Sequence, residues 1–180
     1  MLTPAQKTPA LSLPTIGGGT FDLDNHHGKN GTLLVFYRGL HCPICIGQLS
    51  ELSRMQSRFD DLGIATAAVS TDPEDRAAQT REKAEAEKVT FLHSLSQSAA
   101  RFDWGLWMSS ARPDSDEPEV FSEPGMFFVS PDRTLVFGWV QTSPFARPQL
   151  EDVAGAIAFH LEKGYPARGQ YDGPLDQDAA

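Results

Sequence analysis

Apolar and polar positions along the chain alternate in short blocks of two periodicities. Leu33-Leu34-Val35-Phe36 is a continuous apolar run within the β-prone stretch Thr32 to Tyr37, and Ile64 to Val69 is another. Runs this short with no polar face predict strands covered on both sides. Between them Leu49, Leu52, Met55, Phe59 and Leu62 recur at spacings of three and four, the stripe of an amphipathic helix that begins after Cys42 and stops at Gly63. Asp72-Pro73-Glu74 starts a second helix, with an acid at the N-cap and Pro at the first helical position. That helix extends to about Lys88, and its Ala, Glu, Lys and Arg content places it at the surface. Thr90 to Leu95 reads as a strand and Gln97 to Trp104 as a short helix. Met126 to Val129 and Leu135 to Gln141 form a hairpin around Ser130-Pro131-Asp132-Arg133, and Leu150, Val153, Ile157 and Leu161 mark a C-terminal helix.

The remaining segments are punctuated rather than periodic. Thr20 to Leu23 and Thr32 to Tyr37 flank the turn-rich His26-His27-Gly28-Lys29-Asn30-Gly31, which predicts a hairpin; Ser109 to Glu119 is a polar loop containing Pro. The domain organisation expected is an extended arm at 1–19, a domain at 20–163 and a polar tail at 164–180. The order β-β-α-β-α-β-α-β-β-α is that of an α/β protein, a central sheet covered on both faces. Its first long helix directly follows a buried strand, the junction at which redox and ligand sites lie in open α/β sheets.

Composition narrows the function. With 180 residues, 40% hydrophobic and 22% charged, the chain can build one core without covalent staples. A formal charge of −9 argues against nucleic acid or an anionic membrane as a partner. No apolar run is long enough to span a bilayer, and the first residues lack the apolar core of a secretory leader, so the expected location is the cytoplasm. Only two cysteines are present, Cys42 and Cys45. A structural disulfide across so short a loop adds little stability, so in a reducing compartment the pair points to redox or metal chemistry. A zinc site needs about four ligands, and His26, His27, His93 and His160 are scattered without ligand spacing, which leaves redox chemistry with no metal and no cofactor.

The pair lies in Arg38-Gly39-Leu40-His41-Cys42-Pro43-Ile44-Cys45. Pro43 suits the first helical position, which makes Cys42 the N-cap and turns its sulfur toward free backbone N–H groups and the positive end of the helix dipole. A thiolate there is stabilised, and thiols of this kind reach pKa values of about 3.5–7.5. Cys45 shares the stripe of Leu49 and Leu52, so it is the inner sulfur and Cys42 the outer one. Arg38 is the nearest cation in sequence, able to lower the thiol pKa or polarise a peroxide, and His41 is an acid/base candidate. Tyr37, Trp104, Trp107 and Trp139 read as packing residues, with Trp107 close enough to the polar loop to border the site.

Strand, loop, Cys-x-x-Cys and helix resemble the thioredoxin fold, and Cys42-Pro43-Ile44-Cys45 is similar to the glutaredoxin-type motif. Val35-Phe36-Tyr37-Arg38-Gly39, Ala67-Ala68-Val69-Ser70-Thr71-Asp72 and Phe127-Phe128-Val129-Ser130-Pro131-Asp132 resemble the AhpC/TSA, peroxiredoxin-like family over roughly residues 17–163. The resemblance implies a thioredoxin-like fold, a central mixed β-sheet flanked by helices on both faces, with an N-terminal β-hairpin extension. It implies a thiol-dependent, antioxidant oxidoreductase acting on a peroxide or disulfide substrate, recharged by a thiol donor of thioredoxin or glutathione type, with a homodimer compatible.

The chain departs from the family's Pro-x-x-x-Thr-x-x-Cys, with Arg38 at the Pro position and Cys42 at the Thr position, so the peroxidatic cysteine falls on Cys45. The family's peroxide-polarising Arg is missing before the Phe127 strand, where Glu123-Pro124-Gly125 stands. Pro124 matches the thioredoxin position of a cis-Pro facing the pair, and the substitution pattern as a whole favours dithiol–disulfide exchange through Cys42. Peroxide reduction through Cys45, resolved by Cys42, ends in the same oxidised state. A non-enzymatic binding module or redox sensor is the alternative from another class.

Overall fold

Apolar runs become the centre of a computed structural model that describes residues 2–173. Its strands are β1 (Ser12–Pro14), β2 (Thr20–Asp22), β3 (Gly31–Phe36), β4 (Ile64–Val69), β5 (Thr90–Leu92), β6 (Met108–Ser110), β7 (Val120–Ser122), β8 (Gly125–Val129) and β9 (Leu135–Val140). Its helices are α1 (Pro43–Arg54), α2 (Gln56–Asp61), α3 (Glu74–Lys83) and α4 (Leu150–Lys163). Five strands form the main sheet in the order β5-β4-β3-β8-β9. β3 runs parallel to β4 and antiparallel to β8, so the sheet is mixed, as the family resemblance implied.

Every residue of β3 is buried, because both faces of the sheet are covered. Leu33 and Val35 join Cys45, Leu49, Leu52, Phe59, Leu150, Val153 and Ile157 on the face under α1, α2 and α4. Leu34 and Phe36 face the other way, onto Phe21, Leu23, Leu95, Trp104 and Phe127. There the cover is the N-terminal segment and one π-helical turn at Ala99–Asp103. Burying each Leu of α1 contributes about 1.5–3 kcal/mol, which fixes the helix over the end of β3.

Several local expectations are corrected. β2 pairs with β1, not with β3, so the N-terminal hairpin is built from the arm while β3 joins the main sheet. A strand with no polar face is worth more at the centre of a sheet than in a two-stranded ribbon. The helix after Cys42 breaks at Met55, which turns Gln56 inward to accept from the Thr66 hydroxyl at 2.6 Å and donate to Asp60 at 2.8 Å. Spacings of three and four continue across the break, so periodicity does not reveal it.

α3 starts one residue late, with Pro73 as its N-cap, and ends at Lys83 instead of Lys88, where the chain turns back at Glu85 with φ +50°. β5 is three residues long, and the segment 109–119 is framed by the antiparallel pair β6 and β7. Leu161 is exposed and leaves the stripe of α4 to Leu150, Val153 and Ile157. Trp104 is buried as expected, whereas Trp107 and Trp139 are exposed. Of the polar tail, 174–180 lies outside the described residues. No helix among the described residues is long and apolar enough to cross a membrane.

Candidate active site

β3 ends at Phe36, and the chain needs only six residues to reach the start of α1 at Pro43. Gly39 sits at φ +133°, and a Cβ built there meets the Asp72 carboxylate at 2.7 Å. Only glycine accepts both conditions without strain. Asp72 does not cap α3. Its carboxylate accepts from the Leu40 N–H at 2.8 Å and pairs with Arg76 at 3.3 Å, tying this loop to the end of β4.

Cys42 is the N-cap of α1 with Pro43 in the first turn, and its sulfur accepts from the Cys45 N–H at 3.2 Å. The two cysteines are joined by a disulfide, with Cα atoms 5.3 Å apart, while the first turn of α1 stays intact. Cys45 is fully buried among the Leu residues of α1. Cys42 is 4% exposed and lines a cleft of about 450 Å³, which Cys45 does not. The inner and outer positions read from helix periodicity are therefore those observed.

Among the described residues one cation reaches the sulfurs, and sequence reasoning missed it. Arg147, in the loop between β9 and α4, donates from Nη2 to Cys45 Sγ at 3.2 Å and to Cys42 Sγ at 3.7 Å. Its Nη1 donates to Gln48 Oε1 at 2.8 Å and its Nε to the Pro144 carbonyl at 3.1 Å, so the fork is held from both sides. Burial lowers the Arg147 pKa to about 10; the neighbouring Arg38 lowers it and Glu123 raises it, and at neutral pH it keeps its charge. The only local signal was an Arg directly before Pro148, a position biased to extended backbone ahead of a helix.

Arg38, the cation favoured from sequence, is committed elsewhere. Its Nε and Nη2 donate to Glu123 Oε2 at 2.8 and 2.7 Å, and Nη2 also reaches the Thr142 carbonyl at 3.3 Å. Glu123 is 3% exposed and accepts a third bond, from the Ser109 hydroxyl at 2.5 Å to Oε1. The residues at 38 and 123, noted separately as departures from the family pattern, form one ion pair on the wall of the cleft. Strand register explains the meeting, since Phe36 stands opposite Gly125.

His41 also lines the cleft, with its ring edge-on to Phe121 at 4.7 Å. Neither of its ring nitrogens has a hydrogen-bond partner among the described residues. Burial lowers its pKa, with Asp72 and Glu117 opposing and Arg76 and Arg38 assisting. Tyr37 is buried core, as expected, and burial raises its hydroxyl pKa. Trp107 borders the site through its backbone, accepting from the Glu123 N–H at 2.7 Å. No peptide among the described residues is cis, so the bond before Pro124 is trans.

Similar architectures exist among solved structures. Peroxidoxin BcpB from Mycobacterium tuberculosis superposes with a TM-score of 0.68 at 18% identity, over 87% of this chain and 96% of that one. AhpC of Enterococcus faecalis gives 0.72 at 18%, over 92% and 98%. Reduced Prx3 from Vibrio vulnificus, in complex with hydrogen peroxide, gives 0.72 at 14%, over 87% and 99%. At such identities the likeness is one of fold. No curated protein sequence matches the chain. The AhpC/TSA family model matches residues 4–137, the stretch that carries β1 to β8, the disulfide and the Arg38–Glu123 pair, and the chain belongs to the AhpC/TSA family.

Proposed function

We propose that this protein is a thiol-dependent oxidoreductase that reduces peroxides, with Cys42 as the attacking sulfur and Cys45 as the resolving one. The observation that carries the reading is a disulfide closed inside an intact helical turn, with Arg147 on both sulfurs and only Cys42 on the cleft. In the reduced protein the N-cap position and the guanidinium both favour the thiolate over the thiol. The thiolate attacks the O–O bond, the leaving oxygen takes a proton and departs as alcohol or water, and Cys42 becomes a sulfenic acid. Cys45 then displaces hydroxide from that sulfur, water is released, and the disulfide remains. Two equivalents of a small or protein thiol, of glutathione or thioredoxin type, return the pair to dithiol by exchange.

Membership of the AhpC/TSA family and the peroxiredoxin architecture support the oxidoreductase role, and Prx3 of Vibrio vulnificus binds hydrogen peroxide on the same fold. Residues 20–163 are the functional unit in this reading, with 1–19 as arm and 164–180 as tail, and an antioxidant role in a reducing cytoplasm is its setting. Dithiol–disulfide exchange is the second reading, favoured by the helix-start Cys-x-x-Cys itself.

The test measures peroxide consumption and insulin-disulfide reduction side by side, with a thiol donor. Wild type is expected to turn over peroxide with the donor, Cys42→Ser to consume none, and Cys45→Ser, assayed without donor, to consume about one equivalent and stop with a sulfenic acid on Cys42. Full turnover by Cys42→Ser with an inert Cys45→Ser reverses the assignment of the two sulfurs. Insulin reduction without peroxide consumption replaces this reading with the exchange one. A protein inert in both assays is a binding module or sensor.

A further inference from the structure

A buried ion pair is weak evidence for stability, because desolvating two charges offsets most of their attraction. Arg38 and Glu123 are nonetheless buried together, with side chains 17% and 4% exposed, on the wall of the cleft that Cys42 lines. The pair brings a second guanidinium to a site that already has Arg147 on the sulfurs. Both Arg38 and Glu123 act electrostatically on Arg147, with opposite signs, so the three charges form one connected set.

We infer that Glu123 is a positioning residue that divides labour between the two guanidiniums: it draws Arg38 off the sulfurs and presents it to the oxygen atoms of the substrate, leaving the thiolate to Arg147. The argument rests on which donors are taken. Glu123 occupies Arg38 Nε and Nη2, and Ser109 on β6 donates to the other carboxylate oxygen, so the carboxylate is held from both sides. Among the described residues, no acceptor takes the hydrogens of Arg38 Nη1. The Thr142 carbonyl and the face of Phe121, 5.7 Å from Cζ, complete the socket. An arginine oriented from behind by a carboxylate presents fixed donors to developing negative charge without reorganising at the moment of reaction. The leaving oxygen of the peroxide acquires that charge as the O–O bond breaks, while the sulfur gives up its electron pair to the other oxygen. Arg38 comes from the end of β3 and Glu123 from the start of β8, and register alone brings them together.

This inference rests on the peroxide reading above, and the experiment separates the two. The variants are Arg38→Gln/Glu123→Gln, which removes both buried charges and keeps similar shapes, and Glu123→Gln alone. Each is measured for kcat/KM with hydrogen peroxide and for the ultraviolet thiolate titration of the reduced protein. The double variant is expected to lose about 10-fold to 100-fold in kcat/KM, the value of one charge-assisted hydrogen bond, with the thiol pKa unchanged. Glu123→Gln is expected to free Arg38 toward the sulfurs and lower the thiol pKa by about one unit or more, a shift that vanishes in the double variant. A double variant that keeps wild-type kcat/KM, or that shifts the thiol pKa, overturns the division of labour, whether or not the single variant folds. A wild-type protein that consumes no peroxide overturns the reading beneath it instead.

Discussion

Replacing Arg147 by Gln removes the one cation among the described residues that contacts both sulfurs, and its effect can be bounded from the geometry. The guanidinium lies 3.2 Å from Cys45 Sγ and 3.7 Å from Cys42 Sγ. At an effective dielectric of about 20, a unit charge pair at such separations interacts by roughly 4 to 5 kcal/mol. That is a ceiling, because the guanidinium charge is spread over three nitrogens and shared with Gln48 and solvent. A cation beside an ionised group typically shifts its pKa by about 1–3 units, or about 1.4–4 kcal/mol, and that range lies inside the ceiling. Losing a cation disfavours the anion, so the attacking thiol of Arg147→Gln is expected to titrate about 1–3 units higher than wild type. The thiolate fraction near neutral pH, and the peroxide rate with it, falls correspondingly by up to about 10-fold to 1000-fold, and the deficit closes as pH rises. The assay is thiolate absorbance against pH on reduced protein, paired with rates at neutral and alkaline pH. Titration curves of variant and wild type that overlay would refute the electrostatic account of this site.

Other outcomes follow from single contacts. Leu49→Ala empties a fully buried position under α1 and is expected to cost about 2–5 kcal/mol in urea unfolding; a change under half that range means α1 collapses into the space. Gly39→Ala forces a side chain onto a backbone at φ +133° with Asp72 Oδ2 at 2.7 Å, so its Tm should drop in line with a strain of about 1–3 kcal/mol, and an unchanged Tm would show that the loop is free to move. Burial keeps His41 below its ordinary 6.5, so the unfolded chain takes up this proton first. Its contribution is therefore undiminished above about pH 6.5 and is lost as pH falls toward the folded value. His41→Phe should flatten that slope in urea midpoints taken between about pH 7 and 5, and parallel slopes would assign the acid sensitivity to other groups.

How much was readable differs between the two halves of the site. Cys42 as N-cap, Pro43 in the first turn, and Cys45 on the stripe of Leu49 and Leu52 all follow from positions within one or two helical turns, and the structure has each of them. The same local rules failed where a side chain had a better partner farther away. Asp72 has the sequence of a helix cap but bonds Leu40 across the loop, and the Thr32–Tyr37 strand has a hairpin turn before it but pairs with β4 and β8. The Met55 break and the trans bond before Pro124 leave no mark in spacing or composition.

The amino-acid order was enough to establish an α/β sheet, a helix start carrying two sulfurs and their inner and outer placement, because those depend on neighbours a few residues apart. Which charges serve the sulfurs was settled by the packed sheet. Arg147 is 105 and 102 residues from the two cysteines, and Glu123 is 85 from Arg38. Contacts of that separation depend on strand register and loop path, which arise from the summed burial of the whole core and from no local segment of it.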